Sequence, residues 1–148
     1  MFKHILAPTD GSKLAEKAIK RAIEFAGETG AQVTILHVTP RFRTLMDEGF
    51  VAVSSASLQK RFEQESAARA AKILAGAQRD AKVAGVTCEA VSAASDAPYE
   101  EIVKQAKKRK CDLIMMASHG RRGISGLLLG SETAKVLTHS TIPVLVYR

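Results

Sequence analysis

The chain has 148 residues, 46% of them apolar, and a formal net charge of +7 at pH 7. That size and composition fit one folded domain over residues 1–148 and exclude a disordered chain. No apolar run approaches the ~18 residues of a membrane span, and the first residues show no secretory signal, so a cytoplasmic protein without a membrane partner is expected.

Residues 3–8 read as a short strand, and Asp10, Gly11 and Ser12 as a turn and helix cap. Ala15, Ala18, Ile19, Ala22, Ile23 and Ala26 then recur at helical spacing, with Gly30 as the stop. Residues 32–38 form a β-rich strand. Residues 40–56 lack a clear period and are predicted to be a flap or partly helical. A long helix follows over about 57–84, its inner face predicted as Ala67, Ala70, Ala71, Leu74, Ala77 and Ala81, closed by Gly85.

Residues 86–91 alternate in polarity, which predicts an edge strand with one wetter face. Asp96, Ala97 and Pro98 open the next helix. Its first turn carries Glu100 and Glu101 and its end Lys107, Lys108, Arg109 and Lys110, a charge order that complements the helix dipole. The basic run therefore reads as a solvated helix end, not a nucleic-acid surface. Aromatic residues are only 5% of the chain and do not interleave with basic ones, so no nucleic-acid partner is expected. Residues 113–117 are a fully apolar strand, 130–139 a helix and 144–147 a last strand. Cys88 and Cys111 read as small core residues, and no Cys/His spacing resembles a zinc site.

Alternating strands and helices imply an α/β fold: an open parallel sheet with helices on both faces. In such sheets ligands sit at the carboxyl ends of strands, where the strand order reverses. Two strand ends are equipped for this. The first is Pro8-Thr9-Asp10-Gly11. The second is Ala117-Ser118-His119-Gly120-Arg121-Arg122-Gly123, and the frame from Ala117 to Gly120 is followed after nine residues by Gly130-Ser131 and the helix start Glu132-Thr133. A glycine-rich loop running into a helix gathers backbone N–H groups, and phosphate is the usual guest. Asp10 suits ribose hydroxyls or an adenine amino group on the opposite wall. Gly120 is expected to take a backbone angle closed to other residues, Ser131 to add a hydroxyl, and Arg121 and Arg122 to add mobile positive charge. Gly123 and Gly126 serve equally well as a flexible loop. His119 leans towards a loop role and His37 towards a structural one. There is no P-loop, no G-x-G-x-x-G fingerprint and no G-x-S-x-G elbow.

With these features the whole chain resembles the ATP-binding branch of the universal stress proteins, whose frame is G-x-x-G, nine residues, then G-[ST]. The opening Pro8-Thr9-Asp10-Gly11-Ser12 and the closing Ile142-Pro143-Val144-Leu145-Val146 match as well. The resemblance implies an open five-stranded parallel sheet of order 3-2-1-4-5, ATP with Mg²⁺ or Mn²⁺ held through its phosphates between the first and fourth strands, and a homodimer. Under it, Pro8, Thr9 and Asp10 meet ribose and base, and Val38 meets adenine through its backbone. Met116 and Ala117 line the pocket, while Gly120, Gly130, Ser131 and Glu132 offer backbone or hydroxyl donors to the phosphates; Ser118, His119 and Thr133 complete the expected nucleotide-binding set. One departure is Ala117, where the family has its first glycine; this costs more if the position needs a positive φ.

The apolar last strand, nearly at the chain end, predicts a two-fold dimer through residues 143–147. No general base, arginine finger or protein metal cluster stands out. The leading reading is thus a regulatory ATP-binding protein with at most slow hydrolysis, or autophosphorylation at a nearby hydroxyl such as Ser131. The alternatives are an adenylating enzyme, which wants an S-G-G-x-D-S-like loop that Pro8-Thr9-Asp10-Gly11-Ser12 is not, and a nucleotide-free interaction protein. Gly130→Asp is expected to abolish nucleotide binding with the fold intact.

Overall fold

The computed structural model describes residues 1–42, 55–121 and 129–148. Strand β1 (His4–Thr9) leads to helix α1 (Lys13–Thr29), β2 (Gln32–Thr39) to α2 (Ser55–Val83), β3 (Cys88–Ala94) to α3 (Pro98–Lys108), and β4 (Leu113–Ala117) to α4 (Ser131–His139) and β5 (Val144–Tyr147). All pairings are parallel and the order is β3-β2-β1-β4-β5. The chain steps outward from β1 to β3, returns across the sheet, and steps outward again from β4. The expected topology is the one observed.

Each strand shows two faces to two different helix layers. Ile5, Ala7, Val33, Ile35, Leu113 and Met115 pack beneath α1 and α2. Leu6, Leu36, Ile114 and Met116 pack beneath α3 and α4, against Ile102, Ala106 and Val136. Ile5, Leu6, Ile35, Leu36 and Ile114 are fully buried, each contributing about 1.5–3 kcal/mol relative to exposure. Such burial on both faces is why the central strands read as continuous apolar runs.

Helix α1 forms where its small residues allow close packing. Ser12 caps it by accepting from the Ala15 N–H at 3.2 Å, and Gly30, at φ 72°, donates back to the Ala26 carbonyl. The C-terminus of α3 closes the same way without a glycine: Lys110 takes φ 54°, and the Cys111 N–H reaches the Ala106 carbonyl at 2.9 Å. Arg109, within the basic run, is ion-paired with Glu89 of β3.

Two expectations need correction. Strand β3 covers 88–94, not 86–91, so it starts later and runs further than its polarity alternation indicates. Val86 instead packs in the core as part of the turn from α2, its N–H bonded to the Ala81 carbonyl. In α2, Ala70, Leu74 and Ala81 are buried as expected and Ala77 is half-buried, but Ala67 and Ala71 are exposed. The 29 residues of α2 span about 43 Å, whereas the 8 of β2 span about 26 Å. The first turns of α2 therefore have less sheet to bury against, whereas Ala71, between buried Ala70 and Leu74, is exposed because it lies on the outer face of the helix. The 40–56 flap lies, except for its two ends, outside the described residues. As predicted, β3 is an edge with a half-wet face. Cys111 is buried, Cys88 is half-buried, and both are free thiols.

Candidate nucleotide site

Strands β1 and β4 are neighbours, paired as Ile5 with Leu113 and Leu6 with Ile114. Beyond them the chain diverges to opposite faces: β1 leads to α1 on one side and β4 to α4 on the other. The reversal of strand order thus opens a crevice between the two carboxyl ends, where ligands bind in such sheets. The N-termini of both α1 and α4 stand at this edge. Each presents first-turn N–H groups without intrahelical partners and the positive end of a helix dipole.

Asp10 spans the crevice. Its Oδ1 accepts from the Ser12 N–H at 2.9 Å, and its Oδ2 accepts from the Arg121 N–H at 2.7 Å. The carboxylate lies so close to the β4 loop that a Cβ on Gly120 would stand 2.2 Å from Oδ2. Gly120 is therefore required for close approach. It does not adopt the positive φ expected for it; that conformation belongs to Gly11, at 76°. A Cβ there would collide with Ile73 of α2 at 2.7 Å and with the Arg121 guanidinium at 2.9 Å. Sequence reasoning saw Gly11 only as a turn residue, because the side chains crowding it lie far along the chain.

The β4 wall is held from behind. The Ser118 N–H donates to the Tyr147 carbonyl at 2.7 Å, and the Ser118 carbonyl accepts from the Gly130 N–H at 2.6 Å. The hydroxyl of Thr133, which is buried, donates to the Ala117 carbonyl at 2.9 Å. Residues 118 and 130 are thereby brought together across the loop, and α4 starts directly behind the end of β4. A Cβ on Gly130 would meet the His119 Cα at 3.0 Å. A side chain at Gly130, as in Gly130→Asp, therefore presses on the His119 backbone, which must give by a few tenths of an ångström.

Other site residues fall into place around this frame. Pro8 and Thr9 are buried at the end of β1, and the Thr9 hydroxyl accepts from the Gly11 N–H at 3.1 Å. The Thr9 carbonyl accepts from His37 Nδ1 at 2.8 Å, which makes Nδ1 the protonated nitrogen and His37 a tie between β1 and β2. Val38 and Met116 pack in the α3–α4 core layer. Ala117 packs on Ala15 and Ala18, and its φ is not positive, so the alanine costs no backbone strain. Ser118 is buried with its hydroxyl 3.1 Å from His119 Nδ1, while Gly120, Arg121 and Ser131 are exposed. Arg122 and Gly123 lie outside the described residues, as does Gly126. The Glu132 carboxylate points away from the crevice: Oε2 accepts from the Tyr99 N–H at 3.0 Å, capping α3, whose own N-cap Ala97 has no capping side chain. No local signal in the sequence marks that bond.

The chain matches the universal stress protein family over residues 1–148. It belongs to the universal stress protein family. It is 34% identical over 150 residues to the universal stress protein YxiE of Bacillus subtilis, covering 100% of both chains. The solved structure of MJ0577, from Methanocaldococcus jannaschii, is 30% identical, with a TM-score of 0.82 over 99% of this chain and 95% of that one. A universal stress protein solved in complex with cAMP is 28% identical, with a TM-score of 0.72 over 99% of this chain and 97% of that one.

The site's donors suit an anion. Among the described residues no three His, Cys, Asp or Glu side chains converge. Among the same residues no helix is long and apolar enough to cross a membrane.

Proposed function

We propose that this universal stress protein binds a mononucleotide, ATP by resemblance, in the β1–β4 crevice and uses it as a regulatory signal. The observation that carries the reading is the pairing of Asp10 on one wall with the Gly120–Gly130–Ser131 backbone on the other, between two helix N-termini. Asp10 takes the sugar or base, and the α4 first turn with Gly120 takes the phosphates. The dipole contributes about 0.3–1 kcal/mol, so direct N–H bonds supply most of the phosphate affinity. A divalent ion, Mg²⁺ or Mn²⁺, enters on the phosphates and not on protein side chains. The relative solved with cAMP supports a nucleotide at this fold.

The test is to acid-denature the purified protein, identify any released nucleotide by mass, and titrate the stripped protein with ATP and with cAMP. Nucleotide release or saturable binding is expected. A stripped, folded protein that binds neither sinks the reading in favour of a nucleotide-free interaction protein.

The same reading includes a homodimer. Strand β5 is a sheet edge with Leu145 39% exposed, and pairing two such edges satisfies their free backbone groups. Sedimentation showing a monomer at every concentration would remove the dimer.

A further inference from the structure

Ser118 and His119 form a pair on the β4 wall of the crevice. Ser118 is 1% exposed, and its hydroxyl stands 3.1 Å from His119 Nδ1. Among the described residues nothing else accepts from that hydroxyl. Were the proton on Nδ1, the Ser118 O–H would be buried without an acceptor, which costs more than the bond gains. The hydroxyl therefore donates to Nδ1, and the neutral ring carries its proton on Nε2. His37 and His139 are the reverse: each donates from Nδ1 to a backbone carbonyl, that of Thr9 and that of Lys135, both at 2.8 Å.

His119 stands between the two halves of the site. Its neighbour Gly120 lies against the Asp10 carboxylate, and a Cβ on Gly130 would reach the His119 Cα at 3.0 Å and Cβ at 3.1 Å. His119 thus abuts the start of α4, whose first-turn N–H groups have no intrahelical partner. With Nδ1 turned to the buried Ser118, the opposite edge of the ring turns outward. The residue is half-exposed, and among the described residues Nε2 bonds nothing. An unused donor beside a helix start that already gathers donors suits an anion.

We infer that His119 is a further phosphate-binding residue: its Nε2–H donates, from a neutral ring, to a phosphate oxygen of the nucleotide. Ser118 is the positioning residue that holds the ring and its tautomer. The inference rests on the nucleotide reading above and adds a side-chain donor to the backbone donors named there.

Two measurements on the full chain test it. Heteronuclear NMR of nitrogen-labelled histidine rings, at a pH where imidazole is neutral, is expected to show His119 protonated on Nε2 and His37 on Nδ1. In Ser118→Ala the His119 Nδ1 resonance should shift as its hydrogen bond is lost, and in the unmodified chain saturating ATP should move the Nε2 resonance. A His119 ring protonated on Nδ1, an Nδ1 resonance unmoved in Ser118→Ala, or an Nε2 resonance unmoved by bound ATP each overturns the proposal, whether or not every variant folds.

Calorimetric titration with ATP reads the contact itself, with a thermal melt of each variant. Affinity is expected to fall roughly tenfold in His119→Phe, which keeps a ring and removes the donor, and to recover to within about threefold of the parent in His119→Gln, which restores an N–H. Ser118→Ala should weaken ATP about threefold in the parent and not at all in His119→Phe. Undiminished affinity in folded His119→Phe overturns the proposal and leaves the nucleotide reading in place. So does equal weakening by Ser118→Ala in both backgrounds, as a merely structural serine would give. A parent chain that binds no ATP overturns the nucleotide reading and the phosphate role of His119 together.

Discussion

Asp10 and Arg121, 111 positions apart in the chain, are joined by a 2.7 Å hydrogen bond from the Arg121 backbone N–H to the Asp10 carboxylate. With its second oxygen on the Ser12 N–H, Asp10 links the start of α1 to the loop after β4 across the mouth of the crevice. A ligand entering there must share or displace this carboxylate.

Replacing Asp10 by Ala leaves two backbone donors unpaired. A stability loss of about 1–2 kcal/mol is expected, reduced from the full charge-assisted value because the site is half-exposed. Asp10→Asn keeps an acceptor for one donor and falls between. Urea unfolding measures the loss, and hydrogen exchange should show the Arg121 amide less protected in Asp10→Ala. An Arg121 amide equally fast in the parent protein contradicts the bond.

Ser131 is exposed at the first position of α4, so Ser131→Asp adds charge without touching the core. Acidic residues at a helix start are favourable by about 0.3–1 kcal/mol, so stability should hold or rise. The same charge repels phosphate, and ATP affinity should fall by roughly tenfold or more, about 1.4 kcal/mol. Calorimetric titration beside a thermal melt separates the two effects. Undiminished ATP affinity in this folded variant moves the phosphate site elsewhere.

Ala117→Gly restores the glycine of the family frame at a position that does not need one. The strand loses about 0.5–1 kcal/mol through backbone freedom, plus about 0.8 kcal/mol for a methyl packed on Ala15 and Ala18. ATP affinity should stay the same, because the Ala117 φ is not in the left-handed region. A large affinity gain in Ala117→Gly would show that the methyl obstructs the ligand.

Burial pushes the Cys111 thiol up to about 11, with Arg109 opposing and Asp112 and Glu89 assisting the rise. The unfolded thiol ionises near 8.5. The contribution of Cys111 to stability is therefore fully present below about pH 8.5 and is lost as pH rises towards 11. Unfolding curves between these limits should fall less steeply with pH in Cys111→Ala than in the parent. Native Cys111 should also resist alkylation at neutral pH, where it is buried and protonated.

The sequence by itself determined the order of strands and helices, the caps at Ser12 and Gly30, and the two loops that meet at the site. Those features depend on residues a few positions apart: a period of 3.6 or 2, a glycine after an apolar run, a serine before one. The spacing from Ala117 to Ser131 also carried the family. Tertiary structure alone decided what each residue touches. Gly120 is needed because the Asp10 carboxylate crowds it, not for its φ. Ala71 is exposed although Ala70 beside it is buried, because only one face of α2 meets the sheet. Glu132 caps α3 because the sheet order sets α4 beside it. The Gly120–Asp10 and Glu132–Tyr99 contacts join segments that become neighbours only in the folded sheet, and no local pattern encodes a partner that distant.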